Sequence, residues 1–167
     1  LCAAWDETGD ANEVLVTGGD DIPFDLSRSD ILHLRRLEWL NDNLIEFVLR
    51  RVSLKGIPGV MIMNTFFYAK LAETSVGYCY ANVRRWTCSP SNVFAHRAVL
   101  VPLHVGGNHW TVILIDIHNR SMTYYDSLRG QPPTNCEQHL KHWLFDERGK
   151  SDSGLVNRVR PSPPNGD

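Results

Sequence analysis

The chain is 167 residues long, 43% apolar and 22% charged, which is the size and composition of one globular domain and excludes a disordered, fibrous or disulfide-stapled mini-protein. Seventeen Lys+Arg against nineteen Asp+Glu leave a formal charge of −2, without the basic excess that marks a direct nucleic-acid partner or a membrane surface. The longest apolar runs, 98–103 and 110–115, are far shorter than the roughly 20 residues that span a bilayer.

Residues 1–22 are acidic and glycine-bearing, with one apolar patch at Val14-Leu15-Val16, and read as a loosely held N-terminal arm ahead of a main unit, 23–167. The first ten residues lack the basic and apolar regions of a secretory signal. The four cysteines, Cys2, Cys79, Cys88 and Cys136, have irregular spacing and no CxxC pair. Free thiols, and a nuclear or cytoplasmic location, are expected from that pattern. Ser27, Ser29 and Asp30 offer caps for a short helix carrying Ile31, Leu32 and Leu34, and Leu37 continues that face. Asn41 or Asp42 starts a stronger helix whose apolar face is Leu44, Ile45, Phe47, Val48 and Val52, and Gly56 with Pro58 ends it. Asn64 caps a third, with Phe66, Phe67 and Leu71 on its apolar side.

From Ala98 the period shortens. Ala98–Leu103, His109–Ile117 and Met122–Tyr125 are rich in branched and aromatic residues and predict neighbouring strands, the last two joined by a turn at His118-Asn119-Arg120. The middle one is apolar on both alternating sets, which predicts a strand covered on both faces. Thr134-Asn-Cys-Glu137 reads as a capping box opening a last helix, lined by Cys136, Leu140, Trp143 and Leu144 and running to about Glu147. No repeat, low-complexity tract or second hydrophobic segment argues for another domain.

The stretch most able to carry chemistry is Val105-Gly-Gly-Asn-His109-Trp110, followed by Tyr124-Tyr-Asp126-Ser-Leu128. A glycine-rich loop brings His109 to the start of the central strand, and Asp126 ends its neighbour. A carboxylate there can bind one imidazole nitrogen and leave the other to accept a proton from a nucleophile. A strand-end histidine and a turn aspartate that never meet fit the spacing as well. Trp39 and Trp110 flank these polar positions and could frame a groove or belong to the core. His139 and His142 lie i, i+3 on the last helix without further ligands and predict a solvated face, so no metal or other cofactor is expected. Cys79 and Cys88 lack finger spacing and read as packing thiols, Arg84 and Arg85 read as a surface pair, and Ser127 lacks the GxSxG elbow of a nucleophile.

Five blocks in one order carry a resemblance: Asp30-Ile-Leu-His-Leu with Glu38-Trp-Leu-Asn-Asp42, Met63-Asn-Thr-Phe-Phe-Tyr-Ala-Lys-Leu71, Val83-Arg-Arg-Trp-Thr87, Val101-Pro-Leu-His104 with Asn108-His-Trp110, and Tyr124-Tyr-Asp-Ser-Leu128. Over about residues 23–148 the chain resembles the ubiquitin-like-specific proteases, the cysteine peptidases that mature SUMO precursors and remove SUMO from lysines. The resemblance implies an α+β, papain-like fold with permuted His-Asp-Cys order, a central mixed sheet and flanking helices. It also implies His109 as general base, Asp126 as its orienting acid, and Trp39 and Trp110 as walls clamping a C-terminal Gly-Gly. Such a slot selects glycines because any Cβ would meet the indoles. Asp42 matches a position that pairs with a basic residue of the modifier.

The family's nucleophile follows in a Pro-Gln-Gln-x-Asn-x-x-Asp-Cys-Gly block. Pro161-Ser-Pro-Pro-Asn-Gly-Asp167 resembles the approach to it, with the cysteine expected beyond Asp167 and no glutamine at Ser162 or Pro163, where an oxyanion-hole donor belongs. Cys136 is not a substitute. The 23–167 unit is thus expected to be a partial peptidase domain, inactive by itself. Two functions follow: a SUMO-specific cysteine peptidase whose nucleophile segment is not in the chain, or a catalytically inactive homologue that binds SUMO through the Trp39 and Trp110 groove.

Overall fold

In the computed structural model, residues 5–54, 56–73, 77–87 and 92–156 are described. The proposed approach block at 161–167, with Ser162 and Pro163, and also Cys2 and Cys88, lie outside them. The chain enters through an antiparallel pair, β1 (Val14–Val16) and β2 (Leu26–Ser27). Helix α1 (Arg28–Leu32) follows at once, because Ser27 and Asp30 form a capping box: the Ser27 hydroxyl accepts from the Asp30 amide at 3.3 Å, and the Asp30 carboxylate accepts from the Ser27 amide at 2.9 Å. Residues of the arm are tied to α1. Arg28, 5% exposed, pairs with Glu13 at 2.5 Å and donates to the Asp6 carbonyl at 3.3 Å, and Arg35 binds the Trp5 carbonyl and Glu7.

The other Asp30 oxygen accepts from Asn41 at 2.7 Å and from Asn43 at 3.0 Å, at the start of α2 (Asp42–Leu54). Asn41, not Asp42, caps that helix, its side-chain oxygen accepting from the Leu44 amide at 3.0 Å. Burial pushes the Asp30 carboxyl up, but the bonds from Asn43, the Ser27 amide and hydroxyl, and Asn41 outweigh it and leave the group below the usual carboxylate range. Its folded pKa lies under its unfolded one, so its contribution to stability is present above the unfolded value, about 3.9, and is lost as pH falls through the depressed one. Thermal melts between pH 5 and pH 3 are expected to show a falling Tm, with a shallower fall in Asp30→Asn. Equal slopes would assign the acid sensitivity elsewhere.

The main sheet has four strands in the order β3-β6-β7-β8. Strand β3 (Val60–Ile62) leads by way of α3 (Phe67–Leu71) and the small hairpin β4 (Ala72–Glu73) and β5 (Gly77–Tyr78) to β6 (Ala98–Val105), β7 (His109–Asp116) and β8 (Ser121–Tyr125). Strand β3 is parallel to β6 and the other pairings are antiparallel, so the sheet is mixed, as expected. Pro102 is tolerated inside β6 because the β3 register ends at Leu100, leaving that part of the strand with β7 alone. One face packs against α3 and α4 (Cys136–Val156) through Phe67, Leu71, Val99, Val101, Ile113, Ile115, Leu140 and Trp143, all buried. Trp143 is 0% exposed and meets the Phe67 ring edge-on at 4.9 Å.

Five expectations are corrected. The first helix stops at Leu32, and Leu37 lies beyond it in a turn closed by the Glu38 amide on the Arg35 carbonyl instead of continuing the helix face. On β7 only Thr111, Ile113 and Ile115 are buried, while Val112 and Leu114 on the other face are half-covered. Ile45 and Leu49 of α2 stand over that face at a distance that leaves a trough of about 540 Å³, floored by Leu100, Pro102 and Val112 and reaching Asp126 at one end. The last helix begins at Cys136, after Asn135 in the left-handed region (φ 62°), and Glu137 pairs forward with Lys141 at 2.6 Å instead of back to Thr134. It also continues through Gly149 to Val156, since Lys150 is anchored to the Arg84 and Thr87 carbonyls at 2.6 and 3.0 Å. The third helix starts at Phe67, although Asn64 does accept from the Phe66 amide at 2.8 Å.

Candidate active site

Strands β6 and β7 are joined by Gly106-Gly107-Asn108, and both glycines have positive φ (63° and 81°), a turn that a side chain at either position would strain. This tight hairpin places His109 at the first position of β7. In the β7–β8 register Val112 faces Tyr125; one step further sets Asp126 opposite Thr111, on the face that carries His109. The two side chains meet: His109 Nε2 lies 2.6 Å from Asp126 Oδ1, and the side chains are 16% and 6% exposed.

Asp126 accepts from every side. Oδ1 also takes the Leu128 amide at 2.7 Å, while Oδ2 takes the Gly130 amide at 3.0 Å and the Tyr124 hydroxyl at 3.4 Å. The His109 hydrogen bond is the main cause holding this carboxyl below its usual range; burial opposes it, and the two amides reinforce it. An ionised Asp126 can only accept, so the proton of the pair sits on His109 Nε2, and in the neutral ring the lone pair is on Nδ1, facing away from the acid. The arrangement is that of a base with a fixed tautomer. Gly130 is part of it, because a Cβ there would lie 2.6 Å from Asp126 Oδ2.

Trp110 projects to the other face of β7. His104, its cross-strand partner, stacks on its ring at 4.5 Å and 22°, and its Nε1 donates to the Leu40 carbonyl at 2.7 Å. The indole therefore fixes the α1–α2 loop to the sheet. Trp39, 53% exposed, precedes that carbonyl, and its own carbonyl lies 2.8 Å from His33 Nδ1. Asp42 opens α2 next to the cap, half-buried. Of the five residues named from the sequence, His109 and Asp126 are in direct contact, and Trp39, Trp110 and Asp42 are linked through the backbone of residues 39–42. Sequence reasoning passed over Tyr124, Leu128, Gly130 and His104. Tyr124 and His104 stood inside the quoted blocks, whereas a backbone amide leaves no mark in a sequence.

The remaining candidates lie elsewhere. His139 and His142 cover tyrosines instead of facing water alone, Tyr78 lying 6.0 and 5.5 Å from their rings. Cys136 is 1% exposed in the core, where burial pushes its thiol up. Ser127 is exposed, and among the described residues no three His, Cys, Asp or Glu side chains are grouped to hold a metal.

Residues 38–160 match the model of the Ulp1 protease family, C-terminal catalytic domain. The human Sentrin-specific protease 2 is 32% identical over 134 residues, covering 78% of this chain and 22% of its own length. The chain therefore spans about a fifth of that relative. A structure of the SUMO protease Ulp1 with its catalytic cysteine oxidised to a sulfinic acid is 26% identical and superimposes with a TM-score of 0.65 over 75% of this chain and 57% of the other. The C-terminal Ulp1 protease domain in complex with Smt3, the yeast orthologue of SUMO, shares the fold at a TM-score of 0.72, 24% identity and coverage of 89% and 64%.

Proposed function

The chain belongs to the Ulp1 protease family, and on that premise we propose that it is the greater part of the catalytic domain of a SUMO-specific cysteine peptidase. The enzyme hydrolyses the bond after the C-terminal Gly-Gly of a ubiquitin-like modifier, in precursor maturation or in isopeptide deconjugation. The observation that carries the reading is the 2.6 Å contact between His109 Nε2 and Asp126, which leaves Nδ1 as an oriented base. Relatives named as sentrin-specific and SUMO proteases support the choice of modifier.

In this mechanism His109 Nδ1 takes the proton of a cysteine thiol, and the thiolate adds to the carbonyl carbon of the terminal glycine. The imidazolium gives its proton to the departing amine as the C–N bond breaks, leaving a thioester. Water then attacks the thioester, its proton passing to Nδ1 and back to the thiol, and the glycine carboxylate leaves. Asp126 stays ionised and steadies the imidazolium. Trp39 and Trp110 line the passage of the diglycine, and Asp42 meets a basic residue of the modifier. We place the nucleophile in a segment of the protein outside these 167 residues, so that the chain alone does not turn over. Turnover by the isolated chain that disappears in His109→Ala would overturn that part. Residence in the nucleus or cytoplasm belongs to the same proposal.

The deciding experiment is cleavage of a SUMO-fluorophore conjugate by the full-length protein. Release of the fluorophore is expected, with a ubiquitin conjugate left intact; no release, or preference for ubiquitin, rejects the reading. Gly130→Ala is expected to lower kcat roughly 10- to 100-fold, since its Cβ would push the acid off the imidazole by a fraction of an ångström to an ångström. The φ of Gly130 is outside the left-handed region, so the backbone itself accepts alanine. An unchanged kcat would mean that Asp126 has room to move without consequence.

A further inference from the structure

Leu37 has a backbone φ of 72° and is 91% exposed. It is the third residue of a turn closed by the Glu38 amide on the Arg35 carbonyl at 3.2 Å, the place where a left-handed residue is called for and where glycine or asparagine is at ease. Leucine in that conformation is strained, and with nine-tenths of its surface in water it gains nothing from packing in return. A strained residue without compensation inside the fold points to something it does for function. Its surroundings agree, since Leu34, Trp39 and Leu40 in the same loop are 50%, 53% and 40% exposed. Together they form an apolar rim that the Trp110 indole fixes in place through the Leu40 carbonyl.

We propose that Leu37 is a docking contact for the folded body of the ubiquitin-like modifier, continuing outward the groove of Trp39 and Trp110; this rests on the function proposed above. The modifier is the partner common to maturation and deconjugation, whereas the leaving group changes from a peptide to a lysine side chain. The rim is continuous in sequence with the wall that would hold the modifier's tail. Apolar side chains clustered beside an exposed tryptophan are the composition of an interface centre.

The test is the Kd of mature SUMO ending in Gly-Gly for the full-length protein. Leu37→Asn keeps a residue that adopts the left-handed region readily and removes the apolar side chain. It is expected to weaken binding about 10-fold, as truncation of a central interface contact does, with Tm unchanged or raised. Leu37→Met is expected to restore binding to within about 3-fold of the parent. If Leu37→Asn binds like the parent while Trp39→Ala weakens binding, the docking role is overturned and the groove reading stands. If neither affects binding, the groove reading fails with it. A lower Tm accompanying the lost affinity in Leu37→Asn would make the leucine structural and overturn the proposal as well.

Discussion

Asp126→Asn in the full-length protein is expected to lower kcat toward a SUMO-fluorophore conjugate by about 10³- to 10⁴-fold, with little change in KM. The carboxylate has two oxygens that only accept, and all four partners, His109 Nε2, the Leu128 and Gly130 amides and the Tyr124 hydroxyl, donate to them. An asparagine amide supplies one accepting oxygen and one donating nitrogen. If the nitrogen turns toward Gly130 it opposes an N–H. If it turns toward His109 it drives the ring proton to Nδ1, and the base is lost. Either way the imidazolium formed in the reaction faces no negative charge. The stopped-assay kcat checks this, and a value within 10-fold of the parent would show that something other than Asp126 orients the ring. The mutant should still bind mature SUMO, because the walls of the groove are untouched.

The second large effect concerns the core. Trp143→Ala is expected to cost about 3–5 kcal/mol of the catalytic domain's stability, read as a lower midpoint in guanidinium chloride. Trp143 is completely buried between the sheet and α4, and Phe67 contacts it edge-on, so truncation leaves a cavity that two rigid elements cannot collapse into. Its Nε1 is a buried donor without a hydrogen-bond partner among the described residues. Trp143→Phe removes that donor along with part of the ring, and a smaller loss, about 1–2 kcal/mol, is expected. Equal losses from alanine and phenylalanine would indicate that the indole nitrogen finds a partner after all.

Much of this architecture was legible in the sequence because it rests on local chemistry. Ser27 and Asp30 announce α1 as caps, and the run of branched apolar residues Val112 to Ile115 announces a strand. Long-range features were less legible. The two apolar faces of β7 look alike as letters, yet one is buried and the other half-covered, because Ile45 and Leu49 of α2 stand over it across a trough. Helix α4 passes Gly149 for a reason that lies in the 84–87 turn, where Lys150 is anchored. At the site, residue types and order pointed to His109 and Asp126, but spacing alone could not say that they touch. That depends on the β7–β8 register. Leu37 read as an extension of the first helix's apolar face, and its strain was invisible, since only a dihedral angle sets it apart from a helical leucine.

Asp30 has a consequence for how this surface can change. Its two oxygens grip the entrance of α1 and the threshold of α2, so both abutments of the span between them are set by a single carboxylate. A bridge with fixed ends can be lengthened cheaply, each doubling of a flexible loop costing about 0.6 kcal/mol in closure entropy. Insertions at its crest, between Arg35 and Glu38, would thus alter the reach of the edge toward a partner while the helices beneath keep their places. Substitution at Asp30 would release both abutments together.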